Sequence, residues 1–157
     1  MVKISLRDMT IKDLELILAW RNHPESLKGS YLARDRKFLT WEEHFEYWFN
    51  RPKTWKVFII QLNNGVLTRD VGVLQFGATE LWRPEVGIYT GEIGLWGQGV
   101  AKEAIKLGLE WLKLQGKHRL SATVLMDNER SIRLFESLGF KRIGEARPGE
   151  WAYDLNF

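Results

Sequence analysis

The sequence predicts a mixed α/β domain built around one sheet, and three observations carry that expectation. Strand-like runs are joined across hairpin signals at Asn63-Asn64-Gly65 and Pro148-Gly149. Apolar residues recur at helical spacing near 11–18 and 100–112. The length of 157 residues fits one domain, taken as 1–157, with the element order β-α-α-β-β-β-α-β-α-β-β.

Val2–Leu6 alternates and gives a short first strand. Thr10 with Asp13 three residues on caps a helix whose apolar stripe is Ile11, Leu14, Ile17 and Leu18. That helix stops near Arg21-Asn22-His23-Pro24, because the residue before proline is pushed out of helical geometry. Residues 25–39, with Gly29 and mixed charges, form a loop. Thr40-Trp41-Glu42-Glu43 is a capping box that opens a second helix running to about Asn50.

Residues 55–62 form a strand that returns as Val71–Ala78 across the Asn-Asn-Gly turn, and Pro84 leads a further strand through Tyr89. A glycine-rich stretch from Gly91 to Gly99 then feeds a helix over about 99–115, with Val100, Ala104, Leu107/Gly108, Trp111 and Leu112 inward. Gly116 ends it. Ser121–Met126 is a strand, Glu129–Leu138 a helix closed by Gly139, and Phe140–Ala146 with Trp151–Phe157 a final hairpin.

Composition narrows the chemistry. There is no cysteine, which removes thiol nucleophiles, disulfides and thiolate zinc sites. The three histidines, His23, His44 and His118, lack metal-ligand spacing, so no metal is expected. A net charge of +3 suits an anionic ligand. Lys and Arg are dispersed rather than clustered, so no nucleic acid is expected as a partner. No apolar run approaches the ~18 residues of a membrane span, and the charged start does not resemble a signal peptide, so no membrane partner and a cytoplasmic location are expected. Eight tryptophans supply core mass and allow an apolar homodimer face.

The stretch with most chemical content is Trp96-Gly97-Gln98-Gly99-Val100-Ala101-Lys102. A strand running through glycines into a helix start turns backbone N–H groups outward, and the positive end of the helix dipole adds to them. Together they make a pocket for a phosphate or pyrophosphate. The Walker pattern is not met, since no Gly-Lys-Ser/Thr ending follows. Nor is the dinucleotide fingerprint, which requires a glycine where Lys102 stands.

This loop resembles that of the GNAT superfamily of acetyl-CoA-dependent N-acetyltransferases, Gln/Arg-x-x-Gly-x-Gly/Ala, matching at Gly99 and Ala101 with Trp96 in place of the usual Gln or Arg. About 30 residues on, Asn128-x-x-Ser131-Ile132-x-Leu134-Phe135-Glu136-x-x-Gly139-Phe140 resembles the family's second cofactor-side segment. The resemblance covers nearly the whole chain. It implies a GNAT-type mixed, mostly antiparallel central sheet flanked by helices. It also implies acetyl-CoA as cosubstrate: the loop Trp96, Gly97, Gln98, Gly99, Val100, Ala101 and Lys102 at the pyrophosphate, Ile88, Tyr89 and Thr90 along the pantetheine arm, and Asn128 on the cofactor.

Acetyl transfer needs a neutral amine. At pH 7 a lysine with pKa ~10.4 is neutral in fewer than about one molecule in a thousand, and an α-amine in roughly a tenth. A base is therefore useful. Glu85, eleven residues ahead of Trp96, resembles the base position of several family members, and His44 is the second candidate base. Phe135 stands where many members have a proton-donating tyrosine, which leaves the acid unassigned, with Tyr89 and Tyr153 as candidates.

Arg21, Asn22 and His44 resemble the acceptor side of the branch that acetylates nucleotide-linked amino sugars, and Arg21 can meet a phosphate bidentately. The expected acceptor is therefore a small-molecule amine of that kind. A protein N-terminus, as in ribosomal-protein acetylation, is the alternative, and a CoA-binding module without catalysis is the third reading.

Overall fold

A computed structural model describes residues 2–25 and 38–157. The elements run β1 (Lys3–Asp8), a 3₁₀ turn (Ile11–Asp13), α1 (Leu14–Arg21), α2 (Trp41–Phe49), β2 (Lys56–Asn63), β3 (Thr68–Gly77) and β4 (Glu85–Thr90). A second 3₁₀ turn (Ile93–Leu95) leads to α3 (Val100–Leu114), β5 (Arg119–Leu125), α4 (Glu129–Ser137), β6 (Lys141–Arg147) and β7 (Glu150–Asn156). Residues 26–37 of the expected loop, Gly29 among them, lie outside the described residues.

The strands form one seven-stranded sheet in the order β1-β2-β3-β4-β5-β7-β6. Every neighbouring pair is antiparallel except β4 and β5, which run parallel and share a single rung, Glu85 with Ser121. Just below it the Ser121 N–H and hydroxyl both donate to the Pro84 carbonyl, at 2.9 and 3.2 Å. Beyond it the two strands part.

Both faces of the central strands are covered, so their side chains divide by period 2. Phe58, Ile60, Leu74, Phe76 and Val86 face a larger core with Val100, Ala104, Ile105 and Leu112 of α3 and Phe135 of α4. Val57, Ile59 and Val73 face a smaller core closed by Leu14, Ile17 and Trp20 of α1 and Trp48 of α2. Trp111 stacks on Phe76 at 6.1 Å.

Several local expectations shift. The inward residue of α3 is Ile105 rather than Leu107, which is 40% exposed, because the helix sets its buried stripe through 100, 104, 105, 108 and 112. Ile11 is 67% exposed, and Trp20 completes the α1 stripe instead. The first hairpin uses a longer turn than the Asn-Asn-Gly signal predicts, and β3 begins at Thr68. The Asn64 side-chain carbonyl accepts from Val66 and Leu67 N–H groups at 3.0 and 2.9 Å, standing in for backbone pairing. No helix among the described residues is long and apolar enough to cross a membrane.

Candidate active site

Where β4 and β5 separate, a cleft of about 830 Å³ opens between their C-terminal halves. Crevices at the carboxyl ends of parallel strands, where strand order switches, are the general ligand position of open α/β sheets. One end of this cleft is made from the glycine loop. Gly97 and Gly99 sit at φ of 78° and 83°, left-handed values that glycine takes without steric cost. The first intrahelical bond of α3 runs from Glu103 N–H to Gly99 O at 3.0 Å, so the amides of Val100, Ala101 and Lys102 are left pointing off the helix start. These donors and the helix dipole favour an anion.

Trp96 ties this end together. Its Nε1–H donates to the Thr90 carbonyl at 2.8 Å, anchoring the loop to the end of β4. The Arg130 guanidinium of α4 lies 3.4 Å from the centre of its ring. Burial, with Arg133 nearby, pulls the Arg130 pKa below its usual value. Lys102, Arg130 and Arg133 all line the cleft, so positive charge is gathered where the amides point. Asn128 also lines it and caps α4, its Oδ1 accepting from Ser131 N–H at 3.2 Å.

The other end carries Glu85, Arg21, Tyr47, Trp55 and Gln75. Glu85 is exposed at the start of β4 and has no ion-pair partner among the described residues. The neighbouring Arg83 pairs with Asp154 at 3.7 Å. Arg21 is seated by Trp20, whose indole fits against Gly91; a Cβ there would come within 2.2 Å of the ring. The Arg21 guanidinium lies 5.8 Å from the centre of the Tyr47 ring. The Tyr89 hydroxyl is buried without a hydrogen-bond partner among the described residues, and burial pushes its pKa well above the ordinary value, against the pull of Arg21.

Of the residues singled out in the sequence, the cleft brings together Glu85, Ile88, Tyr89, Thr90, Trp96, Gly97, Gly99, Val100, Ala101, Lys102, Asn128 and Arg21. Three are placed elsewhere. Gln98 turns back, its side-chain amide donating to Gly94 O at 2.7 Å. Asn22 makes a two-way clamp with the backbone of Leu39, donating at 2.9 Å and accepting at 2.8 Å, and so closes the chain between α1 and α2. His44 is 1% exposed, its Nε2 is 2.9 Å from the Leu14 carbonyl, and it packs edge-on to Trp48. Burial lowers its pKa, which favours a neutral ring that donates through Nε2 and holds α2 to α1. His44 directly follows Glu42 and Glu43 on the helix, so its neighbours in sequence give no signal for burial, which is why it looked available.

Sequence reasoning missed Tyr47, Trp55, Gln75 and Arg130. Only Gln75 left a trace, as a lone polar residue in the apolar run Val71–Gly77. Phe135, which stands where many members have the proton-donating tyrosine, is 5% exposed and packs on Phe140 at 5.1 Å. Tyr153 is fully buried, donates to Glu136 at 3.1 Å and accepts from Arg142.

Residues 3–141 match the acetyltransferase (GNAT) domain family. The chain belongs to that family. This GNAT domain is an acyltransferase domain, and its sheet and flanking helices are of the family's kind. It is 39% identical, over 154 residues, to an uncharacterized protein of Methanocaldococcus jannaschii; the match covers 98% of this chain and 31% of that protein, so the chain spans about a third of its relative's length. A crystallised domain from the same organism is also 39% identical, with a TM-score of 0.94 and full coverage of both chains. An aminoglycoside acetyltransferase solved with coenzyme A shares the fold at a TM-score of 0.80 and 18% identity, covering 98% of this chain and 95% of that one. A spermidine N-acetyltransferase from Vibrio cholerae, solved with CoA and spermine, does so at 0.76 and 16%, covering 98% and 94%.

Proposed function

We propose that this GNAT domain is a cytoplasmic, acetyl-CoA-dependent N-acetyltransferase that acylates the primary amine of a nucleotide-linked amino sugar. The observation that carries the reading is one continuous cleft with outward amides and three cations at one end, and at the other a guanidinium and a carboxylate that has no ion-pair partner among the described residues. The donor set fits the cofactor: Gly97–Lys102 amides with Lys102, Arg130 and Arg133 suit a pyrophosphate, and the edge of β4 at Ile88–Thr90, free of β5 beyond Glu85, suits an amide-bearing arm. Acetyl-CoA, when bound, supplies an acyl group activated as a thioester.

Glu85 takes the proton of the acceptor ammonium onto its carboxylate, directly or through one water, leaving the nitrogen lone pair free to attack. Arg21 orients the acceptor by pairing with a phosphate. A tyrosine whose proton is held as tightly as that of Tyr89 is a poor acid, and Tyr153 is fully engaged, so the proton returned to the leaving sulfur comes from solvent. A second reading, a CoA-binding module without catalysis, rests on the apolar Phe135.

Thiol release from acetyl-CoA, measured against amino-sugar nucleotides in one set and free-N-terminus peptides in another, tests this. Turnover confined to the sugars is expected. Turnover confined to peptides replaces the acceptor, and none with tight acetyl-CoA binding favours the non-catalytic module.

A further inference from the structure

On the face of the sheet turned toward α1 and α2, β3 and β4 meet in rows: Gly77 opposite Glu85, Gln75 opposite Gly87, and Val73 opposite Tyr89. Two of these positions are glycines, so the floor beside the Glu85 carboxylate is bare backbone. Trp55 covers one of them, since a Cβ on Gly77 would lie 3.2 Å from its indole Cε2. Gln75 lies across the other, its Nε2 2.9 Å from where a Gly87 Cβ would be. Gln75 is the one polar residue of Val71–Gly77, and its amide has no hydrogen-bond partner among the described residues although it lines the cleft. A half-buried amide that opens onto the cleft with no protein partner has both a donor and an acceptor available to a ligand there.

Glu85 and Gly87 are two residues apart on one strand face, about 6.6 Å. The Gln75 amide is therefore about a sugar ring's reach from the carboxylate. An indole face suits the apolar face of a pyranose, and an amide offers both a donor and an acceptor to a ring substituent. A peptide would seek a free strand edge, but β4 is paired with β3 along all six residues and its other edge, beyond Glu85, is the one proposed above for the cofactor arm.

We infer that Trp55 and Gln75 set acceptor specificity: the pyranose lies flat on the Trp55 indole with its amine at Glu85, and Gln75 hydrogen-bonds the substituent on a carbon next to the amine. The inference rests on the amino-sugar reading above and adds which part of the sugar is recognised.

UDP- and dTDP-linked 2-, 3- and 4-amino hexoses are assayed with the wild-type chain. The best substrate is then compared with analogues lacking, one at a time, the substituent on each carbon adjacent to the amine. Gln75→Met keeps the side-chain length without its hydrogen-bonding atoms. One analogue is expected to lose about ten- to a hundredfold in kcat/KM with wild type. Gln75→Met loses as much on the full substrate and nothing further on that analogue. Trp55→Leu raises the acceptor KM about tenfold and Trp55→Phe recovers most of it, with acetyl-CoA Kd and melting temperature unchanged. Losses that multiply, or a wild type indifferent to every deletion, overturn the inference while leaving the acetyltransferase reading intact. If no amino hexose turns over, the acceptor reading itself falls and takes the inference with it.

Discussion

At the end of the cleft proposed for the cofactor, the geometry is made by backbone: two left-handed glycines, a helix start and a strand edge. At the end proposed for the acceptor it is made by side chains from five places in the chain, Arg21 of α1, Tyr47 of α2, Trp55 before β2, Gln75 of β3 and Glu85 of β4. The difference teaches where each kind of change acts. A backbone site is disturbed by altering one dihedral or blocking one approach, and then it fails as a unit. A side-chain site is altered one contact at a time, so its selectivity can be retuned without disturbing the fold.

The sharpest way to break this contrast is Gly99→Asp. Aspartate tolerates the left-handed conformation better than most residues, so the loop keeps its shape while a carboxylate faces the pyrophosphate. Acetyl-CoA affinity is expected to fall by about a hundredfold or more by calorimetry, with the melting temperature little changed. Normal affinity would detach the loop from the cofactor. Glu85→Gln acts at the other end. It should lower kcat by about a hundredfold and move the pH–rate profile upward, because the acceptor must then deprotonate unaided, while acetyl-CoA Kd stays as it was. An overlaid profile means that Glu85 is not the base.

Arg21→Met isolates the acceptor end. It should raise KM about tenfold for a phosphate-bearing acceptor and leave KM alone for the free amino sugar; equal effects on both would make Arg21 a packing residue. The smallest effect belongs to His44, which is in neither end. Burial holds its pKa below the ordinary 6.5, so the folded chain keeps the ring neutral while the unfolded chain takes up a proton below that value. Stability contributed by the neutral ring is present above pH 6.5 and declines as pH falls. His44→Gln should flatten the drop in melting temperature between pH 7 and 5, and an unchanged slope would assign it to another group.

How far the sequence carried the reading follows the same division. The glycine loop, the Asn128 cap and the segment through Gly139 are contiguous, and their chemistry is local to the backbone, so the family, and the end of the cleft proposed for the cofactor, are legible in order along the chain. Strand and helix order was equally legible, because central strands buried on both faces read as continuous apolar runs and capped helices carry their own periodicity. Tyr47, Trp55 and Gln75 are brought together only by tertiary packing, of α2 and the approach to β2 against β3, which no local pattern encodes. His44 and Asn22 went astray for the same reason. Each looked available in sequence, yet one is sealed between α1 and α2 and the other is spent on the backbone of Leu39.

The single rung between β4 and β5 has a mechanical consequence. Hydrogen bonding divides the sheet there into a four-stranded leaf and a three-stranded leaf, hinged at Glu85–Ser121. Beneath the hinge the apolar core is continuous, with Val86 of one leaf and Leu120, Ala122 and Leu155 of the other in one buried cluster. Such packing holds the leaves together without fixing their angle, since apolar contact is non-directional. A ligand laid along the seam is therefore a splint as well as a reactant, stiffening the molecule across the line where its own backbone leaves it jointed.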